Sequence, residues 1–139
     1  MLDFTNINFA IVFLATVISF IIGSIWYTVL FGKVWNKEVG LTEEQLKNPN
    51  YLRTYGGSFV CMFIMILGIA VMLKSLGISG NSEWLDGAKI GLTLAITLVA
   101  AGLGINYLYQ FKSLRLFLID SVYQTLFLTL GAIIITILS

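Results

Sequence analysis

Asp120 is the residue from which chemistry could start. It stands in the apolar stretch Leu114–Leu138, with Tyr123 and Gln124 three and four residues further on. At helical spacing these three side chains share one face. A carboxyl group beside a phenol and an amide can hold a proton, bind a cation or line a solute pocket. It can equally be a structural acid that locks helices together, paired with Arg115, Arg53 or Lys33, or accepting hydrogen bonds from Tyr27 or Asn106. Both readings stay open from sequence. An acid at the centre of a bilayer costs about 2.5–3.5 kcal/mol on insertion scales, and less near the interface. Asp120 follows Arg115 closely, so its expected depth is moderate. Three more polar residues, Tyr27, Ser58 and Asn106, fall at the same expected level of their own apolar stretches. Together the six residues Tyr27, Ser58, Asn106, Asp120, Tyr123 and Gln124 define a candidate polar pocket, or else a simple interhelical hydrogen-bond network worth about 0.6 kcal/mol per pair.

The composition removes most other chemistry. There is no His, and the one Cys, Cys61, lies inside an apolar run, where it reads as a small packing residue. No zinc site of Cys and His, no disulfide within the chain and no nucleophile–base pair can be written, so neither a metal, nor a cofactor, nor enzymatic activity is expected. Net charge is +1, which gives no field for nucleic acid. Hydrophobic residues make up 58% and charged residues 11%, against roughly 45–50% and about 25% in soluble domains. So little charge cannot cover a water-facing surface, and the lipid bilayer is the expected surround.

Four apolar stretches of spanning length position these side chains: residues 7–31, 56–76, 86–109 and 114–138, in one integral membrane domain. The expected fold is therefore an all-α membrane protein, a four-transmembrane-helix bundle. The N-terminus has no basic residue ahead of its apolar run and no small-x-small site after it, so the first stretch is expected to be retained as a span. Ala15, Ser19 and Gly23 fall four apart, as do Gly87, Gly91 and Ala95. Such stripes let helices approach closely in lipid, either within the chain or between copies. Trp26, Trp35 and Trp84 are expected as interfacial anchors. The first loop carries Thr42-Glu43-Glu44-Gln45, a capping box that predicts a short surface helix over residues 43–48, ended by Pro49. Ser82 is expected to cap the third span.

Spans 2 and 4 align without gaps, Ser58 over Ser121 and Leu67-Gly68 over Leu130-Gly131. Spans 1 and 3 each carry a Gly shortly before aromatic residues: Gly23 with Trp26-Tyr27, Gly104 with Tyr107. This suggests two parallel two-helix repeats. Loops 1 and 3 hold Lys33, Lys37, Lys47, Arg53, Lys112 and Arg115, and the other side holds Lys74 and Lys89. The basic-residue rule then puts loops 1 and 3 in the cytoplasm and both termini outside a plasma membrane.

Gly23-x-x-Trp26-Tyr27, Phe31-Gly32-Lys33-x-Trp35 and Gly40-Leu-Thr-Glu-Glu, with the later Ile119-Asp120-x-x-Tyr123-Gln124 and Gly131-Ala-Ile, resemble the family known as domain of unknown function 1761. The resemblance covers nearly the whole chain. It implies a small four-span membrane protein and brings no activity. Trp26, Tyr27, Phe31, Lys33, Trp35, Asp120 and Tyr123 carry over as family features without assigned roles. Family members often have a proline soon after the Trp-Tyr pair. Thr28-Val29 stands there instead, which predicts a straighter or longer first helix. The combined expectation is a small oligomeric transporter or channel-like protein. The alternative is a structural or accessory subunit that binds another membrane protein or lipid.

Overall fold

A computed structural model describes residues 1–139 and is helical throughout, without strands. Helix α1 (Phe9–Ile25) starts where Asn8 folds its side-chain oxygen back to accept from the Ala10 and Ile11 amides, at 3.1 and 3.3 Å. This satisfies two of the amides that a helix start leaves unpartnered. The helix does not run on straight. Trp26–Leu30 form a π-helical turn, and the chain breaks at Phe31. Gly32 then opens α2 (Gly32–Val39), an element absent from the sequence reading. A side chain at Gly32 would meet the Tyr27 carbonyl at 2.9 Å, so only glycine allows this sharp exit. The expected straighter helix is thus corrected: the wider turn, rather than a proline, ends the span.

Gly40, at φ +74°, closes α2. Helix α3 (Glu43–Lys47) follows with the capping box complete: Thr42 accepts from the Gln45 amide at 3.2 Å, and the Gln45 side chain accepts from the Thr42 amide at 2.9 Å. A second π turn, Leu52–Gly56, leads into α4 (Gly57–Ser75). Gly77, at φ +71°, ends α4 with a Schellman pair, Ile78 N to Leu73 O and Gly77 N to Lys74 O, both 3.0 Å. The third span starts earlier than residue 86. A 3₁₀ turn, Asn81–Glu83, feeds α5 (Trp84–Leu94), and Ser82 makes no capping bond. Glu83 instead accepts from the Ser79 amide at 2.8 Å, which ties the preceding turn to the helix start. A third π segment, Ala95–Ala100, joins α5 to α6 (Ala101–Tyr109). Helix α7 (Leu114–Leu138) is capped by Ser113, which accepts from the Leu116 amide at 3.1 Å.

The turn between α6 and α7 sets the level of the site. Lys112 N bonds to Tyr107 O at 2.9 Å with Phe111 at φ +54°, a glycine-type helix end occupied by an exposed phenylalanine. That conformation costs a residue with a Cβ about 1 kcal/mol. Phe111→Gly is accordingly expected to stabilise the protein by about 1 kcal/mol, read from its unfolding midpoint in detergent.

Four continuous helical stretches, Phe9–Leu30, Leu52–Ser75, Asn81–Tyr109 and Leu114–Leu138, are long and apolar enough to cross a membrane. Helix α7 is their centre and packs against α1, α4 and α5. Phe127, Leu128 and Ala132 of α7 close against a core that includes Ile66, Leu73, Val12 and Ala15. The small-residue stripes pack within the chain. Ala15, Ser19 and Ala95 are fully enclosed, and a Cβ at Gly87 would strike Thr136, while one at Gly91 would strike Ala132 and the Leu128 carbonyl. The suggested correspondence of the two hairpins does not extend to this packing. Span 1 lies along α7, whereas its counterpart, span 3, meets α4 only narrowly.

Candidate functional site

Asp120 sits two turns into α7, 7% exposed. The Tyr27 hydroxyl donates to its Oδ1 at 2.7 Å, the Trp35 indole N–H to the same oxygen at 2.9 Å, and the Tyr107 hydroxyl to its Oδ2 at 2.5 Å. Three separate elements therefore converge on one carboxyl group: the π turn of span 1, α2, and α6. Every donor is neutral. The basic partners open from sequence are not used. Arg115 instead reaches Glu38 at 3.6 Å, and neither Arg53 nor Lys33 makes an ion pair.

Local structure explains how each donor arrives. Tyr107 lies six residues before Ser113 and Asp120 seven after it. Two antiparallel helices joined by a tight turn bring residues at such nearly equal separations to one level. Tyr27 arrives on the π turn. Trp35 arrives because the break at Phe31 turns α2 back over the bundle end. There Glu38 also accepts from the Ser113 hydroxyl, so α2 is fastened to the start of α7 by two residues one turn apart.

A second aromatic layer backs the first. Tyr123 stands edge-on to Tyr27, with centroids 5.1 Å apart, and donates to the Ser19 carbonyl at 3.0 Å. Gly23 makes room for it, since a Cβ there would lie 2.2 Å from the Tyr123 oxygen. The Trp26 indole donates to the Ile119 carbonyl at 3.2 Å, and its ring packs on Phe31. Trp26 and Trp35, expected as headgroup anchors, thus both direct their N–H groups inward. Trp84 is half exposed on the first turn of α5.

Of the six residues expected to line a pocket, Tyr27, Asp120 and Tyr123 come together. Ser58 does not: it is exposed, and its hydroxyl donates to the Thr54 carbonyl at 2.6 Å. Asn106 is exposed too, because the face of α6 that meets Asp120 carries its neighbour Tyr107. Gln124 is half buried, with Oε1 enclosed and unpartnered, as is the Ser19 hydroxyl. The corrected group is a packed knot of Asp120, Tyr27, Trp35, Tyr107, Tyr123 and Trp26. Tyr107 and Trp35 were missed as pocket residues. The nearly equal spacing of Tyr107 and Asp120 about Ser113 was the available signal for the first. None existed for Trp35, whose approach depends on a backbone break.

A carboxyl group in this setting has two workable states. Ionised, it accepts three hydrogen bonds. Protonated, it can donate to a phenol oxygen, because a tyrosine hydroxyl both donates and accepts, and that phenol then turns its own hydrogen away from the carboxyl. A lysine or arginine partner would favour the ionised state alone. Residues 10–136 match the family model described as "Protein of unknown function (DUF1761)". No curated protein and no solved structure matches the chain.

Proposed function

The chain belongs to this family of proteins of unknown function, and within it we propose a small membrane transporter or channel-like protein in which Asp120 takes up a proton or small cation. The observation that carries the reading is a carboxyl group 7% exposed, inside a span, held by neutral donors only. Intramembrane acids are costly and are most often found on ion or proton pathways. The two phenols can donate to the ionised group and accept from the protonated one. The enclosed core along α7 leaves little room for a path through one chain. The reading includes activity as a homo-oligomer. The basic residues around the Asp120 end favour placing it on the cytoplasmic side of the plasma membrane.

The same three hydrogen bonds also favour a second reading, a structural or accessory subunit in which Asp120 only clasps span 1, α2 and α6 to α7. Proteoliposome fluxes separate the two. Asp120→Asn and Tyr27→Phe are expected to lower a proton or monovalent-cation flux by at least tenfold while the protein stays folded, its unfolding midpoint lowered only by the cost of the weakened hydrogen bonds. Flux of protons, cations and small solutes that is identical in wild type, both variants and empty vesicles would remove the transport reading and leave the clasp.

A further inference from the structure

At the opposite end of the bundle from Asp120 lies a cavity of about 460 Å³. It opens between the start of α1, the end of α4 and the end of α7. Its floor is aliphatic, from Val12, Ala70, Leu73 and Ile135, all 5% exposed or less. Its mouth is polar, with Lys74, Asn6, Asn8 and Ser79. Lys74 is the only charged side chain in the lining. Its ammonium donates to the Asn6 carbonyl at 3.2 Å, which leaves further N–H donors free. Asp3 is near enough to feel this charge, yet it makes no ion pair with it. Its Oδ1 accepts from the Thr5 amide and hydroxyl at 2.8 and 2.6 Å, and these bonds hold its carboxyl below the usual range. The positive end of the seventeen-residue α1 adds to the charge of Lys74 at the same mouth.

We infer that this cavity is a lipid site, taking an acidic phospholipid with its headgroup phosphate on Lys74 and the start of an acyl chain on the aliphatic floor. The volume falls within the range of small-molecule pockets, which bury an apolar body and fix it with few polar groups. The polarity gradient, cationic at the mouth and aliphatic inside, fits an amphiphile with one anionic head rather than a free anion. The cavity lies at the end of spans 1, 2 and 4, where bilayer headgroups would stand. The inference is independent of any role for Asp120.

Native mass spectrometry in mild detergent tests it, with phosphatidylglycerol, phosphatidylcholine and a free fatty acid offered separately. The full chain is expected to hold one phosphatidylglycerol, with Lys74→Ala lowering its occupancy about tenfold, the loss of one charge-assisted contact. Ala70→Phe, which fills the floor and keeps the lysine, should lower it at least as far. Asp120→Asn should leave it unchanged. Equal retention of phosphatidylcholine and phosphatidylglycerol, preference for the fatty acid, or phosphatidylglycerol binding indifferent to both Lys74→Ala and Ala70→Phe would overturn the assignment.

Discussion

Asp120→Leu is expected to destabilise the bundle by about 2–5 kcal/mol, because it leaves the Tyr27 and Tyr107 hydroxyls and the Trp35 indole N–H without an acceptor. Interhelical hydrogen bonds in membrane proteins average about 0.6 kcal/mol and reach about 1.7, so three lost together fall in that range. Asp120→Asn keeps one acceptor oxygen and should cost about half as much. The readout is unfolding of the purified protein against denaturing detergent, together with the emission of Trp35 in a background where Trp26 and Trp84 are replaced by Phe. Loss of the acceptor should loosen α2, whose other polar ties are those of Glu38 to Ser113 and Arg115. An emission spectrum and midpoint unchanged in Asp120→Leu would contradict the three-donor arrangement.

Gly91→Leu should be comparably damaging, at about 3 kcal/mol or more. A Cβ at Gly91 lies 2.7 Å from the Ala132 Cβ, 2.8 Å from the Leu128 carbonyl oxygen and 3.0 Å from the Thr129 Cα. Two of these are backbone atoms of α7, which cannot rotate away, so the helices must separate along the interface that anchors span 3. Gly68 is the open-space comparison, for which Gly91→Ala is the matched variant. It lies mid-span on α4 with nothing within 4 Å of an added Cβ, and Gly68→Ala should shift the midpoint by less than about 0.5 kcal/mol. Equal effects at the two positions would show that span 3 does not pack on α7 through this stripe.

Much of the architecture was legible in the chain itself. Span lengths, the Thr42–Gln45 capping box and the small-residue stripes all rest on local periodicity, which survives in any context. The candidate site was legible in part. Asp120 with Tyr27 was readable because helix register and loop position fix depth. Asn106 in place of Tyr107 is an error of one residue, and one residue turns a helix by about 100°, enough to exchange the inner face for the outer. Trp35 was assigned to the headgroups because an indole near a span end ordinarily sits there.

The sequence by itself determined that this is a four-span helical chain with one acid placed inside a span, since composition and period suffice for that. Tertiary structure alone decided what surrounds the acid. The glycine stripes face α7 rather than a second copy because their fit is set by a specific partner surface, Thr136 and Ala132. Arg115 goes to Glu38 because α2 folds back, and α2 folds back because the π turn and Gly32 reverse the chain at Phe31. That reversal carries Trp35 onto Asp120, and no reading of spacing along a continuous helix contains it.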